Sequence, residues 1–421
     1  MLLLSSVVHA APAPDLVGVG AATDEQQHAA ATQPTTRRAR ESLAERAARK
    51  NPPHIVDILG HTDTADGWSA GTLANANVVA EYPARVTLGF RERGYPREGT
   101  WTGPEVRTRF AFTELVPSFN PHTPPDTGVE LEVRVQQDGT WSPWLFMQSW
   151  GRVVFPPSRT IKFDGGEVDI DEIVLTRPAQ AYQARIKLVS FGFDMKVAPS
   201  VRRLSICYSG MVEDAKQRES LLARPTTLPA TFARDLAVPF RGQGAYDNPR
   251  SLWGLICSPT SVSMVMEYQG AAFSTMENCD AIYDPQYDLF GNWGRAVSRA
   301  SEVGLDAWLE RFRNWDQVKS YIAEGTPVIA SIRFREGEVN GFLYKSTGGH
   351  LLVIRGFNER GDVIVNDPAS REKGNGPVYP AAEFAKAWFD NGGVGYVIRK
   401  PGKPIPPALI KPITAPVAKS G

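Results

Sequence analysis

The stretch Trp253-Gly254-Leu255-Ile256-Cys257-Ser258-Pro259-Thr260-Ser261-Val262-Ser263-Met264-Val265-Met266 decides how the C-terminal half of this chain is read. Pro259 suits a first helical turn, where its missing N–H breaks no hydrogen bond and its fixed φ is already helical. Val262, Val265 and Met266 make an apolar face, and Gly270 follows as a stop. The pattern predicts a helix with the Cys257 thiol at its N-terminus. Unpaired amides and the positive end of the helix dipole there favour thiolate over thiol, and the same N–H groups can hold a developing oxyanion. The competing reading is a buried small hydrophobe, which cysteine usually is.

A base for that thiol is found by elimination. Histidines stand at positions 9, 28, 54, 61, 122 and 350, so the region around Cys257 has His350 alone. An HExxH zinc peptidase needs two histidines on one helix face, and a His/Cys zinc site needs more ligands than this region holds. No G-x-S-x-G elbow supports a serine nucleophile. His350 opens the apolar segment His350-Leu351-Leu352-Val353-Ile354-Arg355-Gly356-Phe357, a turn follows at 358–361, and Asp362-Val363-Ile364-Val365-Asn366-Asp367-Pro368 returns. The two segments read as an antiparallel hairpin. If the turn centres between Asn358 and Glu359, Asp367 lies opposite His350; a later centre moves its partner to 351 or 352. In the first register the carboxylate can hold one imidazole nitrogen while the other faces the thiol. The alternative is a strand-end histidine satisfied by backbone and an Asp-Pro turn.

A glutamine, then Cys-x-Pro-Thr-Ser opening a helix, then Gly348-Gly349-His350 with an apolar strand, then a strand ending in Asn366-Asp367-Pro368: this order resembles the bacteriocin-processing (double-glycine) cysteine peptidases and their stand-alone relatives within the papain-like superfamily. The resemblance covers about residues 236–396. It implies a papain-like α+β domain in which Cys257 is the nucleophile, His350 the general base and acid, Asp367 the orienting carboxylate and Gln243 a contributor to the oxyanion hole. Two departures stand out: Ser258 follows the cysteine where the family usually has glycine, and the interval from Gln243 to Cys257 is long. Read without the family, Gln243 is a turn residue in a Gly-rich loop. No Walker A motif or membrane span follows, so the likeness is to the stand-alone branch and not to the transporter-fused one.

Upstream, residues 61–215 change to short β segments separated by Pro, Gly and Asp: ARVTLGF, VRTRFAF, VELEVRV, WSPWLFM, VDIDEIVL, AYQARIKLVSF and VRRLSICY. The alternation Val129-Glu130-Leu131-Glu132-Val133-Arg134-Val135 predicts a strand with one buried and one wet face. So many strands predict a β-sandwich of jelly-roll type. Residues 216–230 read as a polar, helix-favouring linker, 231–400 as the peptidase-like domain, and 401–421 as an extended Pro-rich tail. Residues 1–60 divide into a signal-like start, MLLLSSVVHAAPAP, and a disordered linker, which together point to a secreted or cell-envelope protein.

Lys+Arg and Asp+Glu both total 46 in 421 residues, so no charge bias toward nucleic acid exists. Cys207, Cys257 and Cys279 cannot all pair with one another; Cys207 and Cys279 are either a cross-domain disulfide or two buried thiols. Trp141, Trp144 and Trp150 are either a sugar platform or, more often for such strands, packing residues, and Asp306, Trp308 and Trp315 are candidates for the cleft edge. The expectation is a secreted cysteine peptidase acting on a peptide or protein through a thioester, with no metal or cofactor. A peptidoglycan amidase or endopeptidase is the first rival, and a non-catalytic binding protein on the same fold the second.

Overall fold

The computed structural model describes residues 55–152, 161–191, 196–221, 228–229, 231–369 and 376–402. The signal-like start, parts of the linker and nearly all of the Pro-rich tail lie outside the described residues.

The N-terminal half is a β-sandwich whose two layers are joined into a nearly closed barrel. Its main strands are β1 (Ile55–Thr62), β2 (Val106–His122), β3 (Thr127–Gln137), β4 (Leu145–Gly151), β5 (Glu172–Ser190) and β6 (Ser200–Met211). β1 pairs with β6 along its whole length, so the sheet begins before the expected boundary at residue 61. The segments expected as two strands, VDIDEIVL and AYQARIKLVSF, are divided elsewhere. A turn at Ile170 (φ +55°) cuts the first, and β5 then runs on through both layers, pairing with β2 over Ile173–Tyr182 and with β3 over Ala181–Ser190. Val129, Leu131, Val133 and Val135 of β3 are fully buried, as the alternation predicts. The opposite face is not wet throughout. Glu132 is buried there, held by Arg185 at 2.6 Å and Lys187 at 3.0 Å. Arg134 stacks over Trp141 and Trp144 at 4.6 and 4.8 Å, and Arg185 over Trp144 at 4.2 Å. These indoles thus carry guanidinium groups on their faces.

Helix α1 (Ala215–Leu221) leaves this half and buries Leu221 in its core. The C-terminal half is α+β, with α2 (Cys257–Tyr268), α3 (Thr275–Ile282), α4 (Trp293–Glu302), β7 (Asp306–Arg311), α5 (Trp315–Ala323), β8 (Val328–Phe334), β9 (Thr347–Phe357), β10 (Val363–Asn366), α6 (Ala381–Trp388) and β11 (Val394–Arg399). Its antiparallel sheet runs β7-β11-β8-β9-β10 and ends on a two-residue strand at Val378–Tyr379. No helix among the described residues is long and apolar enough to cross a membrane.

The two halves share a core-like interface. Leu59, Val116 and Cys207 of the sandwich are packed into the hydrophobic core of the C-terminal half. Around them lie polar ties: Asn120 bonds both the N–H and the carbonyl of Ala307 (3.2 and 2.5 Å), and Glu302 accepts from Thr123 and from the Trp150 indole. Arg311 reaches Glu172 at 2.6 Å and Glu114 at 2.9 Å, and Arg313 grips Asp57 at 2.5 and 3.0 Å. The residues expected at a cleft edge belong to this interface or to the C-terminal core instead. Asp306 pairs with Arg202 at 2.5 Å across the interface, Trp308 is fully buried, and Trp315 packs against Phe357, Phe384, Trp388 and Phe389. Trp150 likewise faces the interface and not a ligand platform.

Candidate active site

Helix α2 starts at Cys257 and every residue from Cys257 to Met266 is buried. Gly270 (φ +93°) closes it: the Gly270 N–H reaches the Glu267 carbonyl at 2.9 Å and the Ala271 N–H the Met266 carbonyl at 2.8 Å, a Schellman termination. Two hydroxyls tie the helix start to the sheet. Ser261 Oγ donates to the Leu351 carbonyl at 3.0 Å, and Ser258 Oγ meets the Tyr396 hydroxyl at 3.3 Å. Ser258 therefore has its own buried partner.

His350 lies on β9 opposite Ile332 of β8. On the other side of β9, Val353 pairs with Asn366 and Ile354 with Val365, which carries Asp367 to the place opposite Leu352. The turn is the later-centred one because Asn358 organises it. Its side-chain oxygen accepts from the N–H groups of Arg360 and Asp362, and Gly361 adopts φ +81°. Asp367 and His350 are therefore diagonal neighbours on one face, within reach of their side chains. His350 Nε2 and Asp367 Oδ1 are 2.7 Å apart. A carboxylate can only accept, so Nε2 carries the proton and Nδ1 is left to the thiol.

Asp367 is fully buried and fully satisfied. Oδ1 also accepts the Ala369 N–H at 2.9 Å, while Oδ2 accepts the hydroxyls of Tyr344 at 3.2 Å and Tyr379 at 2.8 Å. The Tyr344 ring lies edge-on to His350 with centroids 5.3 Å apart. Nothing in the local spacing of Tyr344 or Tyr379 signals this role; the fold brings them in from two other segments.

The titration behaviour follows from this packing. Burial alone would lower the His350 pKa, but the charge of Asp367 and its hydrogen bond outweigh that, with Cys257 adding to them, and hold it at about 10. Burial would raise Asp367, yet the His350 charge and the donated hydrogen bonds keep it below its usual value. Burial also opposes ionisation of Cys257. Its hydrogen bond and Coulombic pairing with His350, helped by the N–H groups of Leu351 and Ser258, leave the thiol below the ordinary value. The other two thiols go the opposite way. Cys207 and Cys279 are buried and unpaired, and desolvation raises both, Cys279 to about 12.

Gln243 is anchored beside the same turn. Its N–H donates to the Pro368 carbonyl at 2.8 Å, its carbonyl accepts from Asn248 at 3.1 Å, and its buried Oε1 has no hydrogen-bond partner among the described residues. Among the described residues no group of three or more His, Cys, Asp or Glu side chains could hold a metal ion. The structure thus brings Cys257, His350 and Asp367 together and sets Gln243 against the residue that follows Asp367.

Fold and site together define a cysteine-peptidase-like α+β domain preceded by a β-sandwich. Residues 236–396 match the Peptidase C39 like family and residues 59–209 a Peptidase C39 N-terminal domain, so the chain carries a C39-like domain behind its N-terminal partner. Among solved structures it is similar to a double-glycine-motif protease from an AMS/PCAT transporter in complex with its leader peptide (16% identity, 42% of this chain and 97% of that one, TM-score 0.26). It is also similar to the peptidase domain of Streptococcus ComA, a bifunctional ABC transporter (12% identity, 35% and 92%, TM-score 0.25). The module TmCBM61, solved with β-1,4-galactotriose, is a third (11% identity, 39% and 92%, TM-score 0.18). A search of curated protein sequences gave no match.

Proposed function

We propose that this protein is a secreted cysteine peptidase that hydrolyses peptide bonds through a Cys257 thioester. The observation that carries the reading is a thiol at a helix start, beside an imidazole that is bonded at 2.7 Å to a buried carboxylate; the imidazole in turn lowers the thiol's pKa. The thiolate attacks the carbonyl carbon, and the C–S bond forms as the carbonyl electrons move to oxygen. The Cys257 N–H at the helix start and the Gln243 side chain hold that oxyanion. His350, protonated at Nδ1, gives this proton to the leaving nitrogen as the C–N bond breaks. It then takes a proton from water, which attacks the thioester, and the C–S bond breaks to return the thiolate. Asp367 orients the ring and stabilises its charged form throughout. Secretion is inferred from the apolar start of the sequence and its small residues near Ala11 and Ala13.

Alkylation of the full chain with iodoacetamide at neutral pH tests the reading. Cys257 is expected to react far faster than Cys207, Cys279 or cysteine in solution, and His350→Ala to remove that advantage. Cys257→Ala is expected to abolish hydrolysis of fluorogenic peptide amides. A Cys257 that reacts no faster than cysteine in solution overturns the proposal.

A further inference from the structure

Two tyrosines share one oxygen of Asp367. Tyr379 donates to Oδ2 at 2.8 Å and Tyr344 at 3.2 Å, while Oδ1 takes the Ala369 N–H and faces His350 Nε2. The two come from separate places, Tyr344 from the connection between β8 and β9 and Tyr379 from the two-residue strand at the sheet edge. An aromatic stack fixes both. Phe342 lies on Tyr379 with ring centroids 4.1 Å apart and planes at 18°, Phe334 lies on Tyr344 at 5.6 Å and 12°, and Phe334 and Phe342 meet at 4.9 Å. Desolvation, with the charge of Asp367 added, holds both phenols above their ordinary value of 10, so each remains an O–H donor across the range in which the site works. The titratable groups gathered around Asp367 are thus His350 of β9 and these two tyrosines, with Cys257 of α2 beyond the imidazole.

A carboxylate buried as fully as Asp367 keeps its charge only while donors surround it. Its neighbour here is itself a proton donor, and moving the Nε2 proton onto Oδ1 would leave both groups neutral. Hydrogen bonds to Oδ2 oppose that transfer, because an O–H group bonds an ionised oxygen more strongly than a neutral acid. We propose that Tyr344 and Tyr379 are positioning residues of the reaction, which keep the negative charge on Asp367 and the shared proton on His350. The inference rests on the peptidase reading and adds two residues to its machinery. Its consequence falls on the leaving-group step. With the shared proton on Nε2, a ring that also carries a proton on Nδ1 is an imidazolium, acid enough to protonate the departing nitrogen. With that proton on Oδ1 the ring is a neutral imidazole, whose Nδ1–H is too weak an acid to yield its proton as the C–N bond breaks.

Tyr344→Phe, and the same change combined with Tyr379→Phe, keep both rings in the stack and remove one or both hydroxyls. The full chain and each variant are compared on a peptide amide that the wild type cleaves and on the p-nitrophenyl ester of the same acyl peptide, whose phenolate leaves without a proton. In the double variant kcat/KM on the amide is expected to fall about tenfold or more, the worth of one hydrogen bond to a charged group, and on the ester by less than about threefold. Tyr344→Phe is expected to show the same split to a smaller degree, and it decides the matter where the double variant does not fold. NMR of the imidazole nitrogens supplies a readout that needs no substrate. A carboxylate with fewer donors holds the shared proton more tightly, so the His350 ring is expected to titrate at or above its wild-type value of about 10, the opposite direction to Asp367→Asn. A merely structural role gives the reverse: a carboxylate loosened from the ring slows amide and ester alike and brings the ring titration down toward 6.5. Either result, or a double variant that cleaves the amide at the wild-type rate, overturns the role of the tyrosines and leaves the peptidase standing. A wild-type protein that cleaves no amide and whose Cys257 alkylates no faster than cysteine in solution overturns the peptidase reading and this inference with it.

Discussion

Replacing Asp367 by Asn keeps the shape of the buried side chain and removes its charge. The amide has one oxygen where the carboxylate has two, and the carboxylate accepts from four donors. Turned so that its oxygen faces His350 Nε2 and the Ala369 N–H, the amide preserves the imidazole tautomer and offers its NH₂ to the two tyrosine oxygens. What it cannot preserve is the charge. With charge centres about 4 Å apart and an effective dielectric near 20, the lost attraction on the imidazolium is about 4 kcal/mol, or roughly 10²–10³-fold in the thiolate–imidazolium population. Iodoacetamide alkylation of Cys257 at pH 7 is expected to slow by about that factor, and kcat/KM on a peptide amide to fall at least as far. The pH profile carries the sign. His350 is held at about 10 against an ordinary 6.5, so the wild-type pair is charged between the lowered Cys257 value and about pH 10 and is lost as pH rises through it. In Asp367→Asn that alkaline limb is expected to move down toward the ordinary histidine range. An Asn variant that alkylates within about threefold of wild type, with its alkaline limb unmoved, refutes the electrostatic role.

Tyr379→Phe removes one donor to a charged acceptor and is expected to cost about 1.5–3 kcal/mol in urea unfolding while slowing turnover less than Asp367→Asn. Glu310 is buried, with its carboxyl raised to about 7 from 4.5 chiefly by desolvation. The folded protein thus binds this proton more tightly than the unfolded chain, and stability falls as pH rises from about 4.5 to 7, by up to roughly 3 kcal/mol. Glu310→Gln, which can still accept from Tyr321 and Trp308, is expected to raise Tm at pH 8 and flatten this dependence in thermal melts. Arg311→Met leaves buried Glu172 without its guanidinium and is expected to cost about 3–5 kcal/mol, part of it recovered in the double variant with Glu172→Gln.

The helix start at Cys257 is legible because it is local: a proline in the first turn, an apolar face and a glycine stop lie within one stretch, and they predict the element that forms. The pairing of the His350 and Asp367 strands is legible for the same reason, whereas their register is not, since it turns on how Asn358 caps the loop. The pattern of short strands before residue 215 predicts the sandwich. It does not show that one strand runs from Glu172 to Ser190 through both layers, because the break at Ile170 is a left-handed residue that no glycine marks. Glu132 misleads for a related reason: alternation reports which residues can face water, and here Arg185 and Lys187 cover the polar face. Tyr344 and Tyr379 are invisible to any period, because their role depends on hydroxyls meeting a distant carboxylate.

Environment, not residue type, separates the three thiols. Cys207 lies in the interface core, and desolvation is the largest cause of its shift. Cys279 is shifted by burial and by the neighbouring Asp280, both of which oppose its ionisation. Cys257 is also buried, yet it stands where a helix N-terminus meets an imidazole whose charge is itself held by a carboxylate. The fold makes that meeting possible, since Ser261 bonds the helix start to Leu351, the residue after His350, and Ser258 meets Tyr396. The sandwich belongs to the same device. Without it the C-terminal core would lose the packing of Leu59, Val116 and Cys207, and Arg311 would lose both of its carboxylates. The unit that keeps the C-terminal core closed is therefore the two-domain body, with the β-sandwich packed against it.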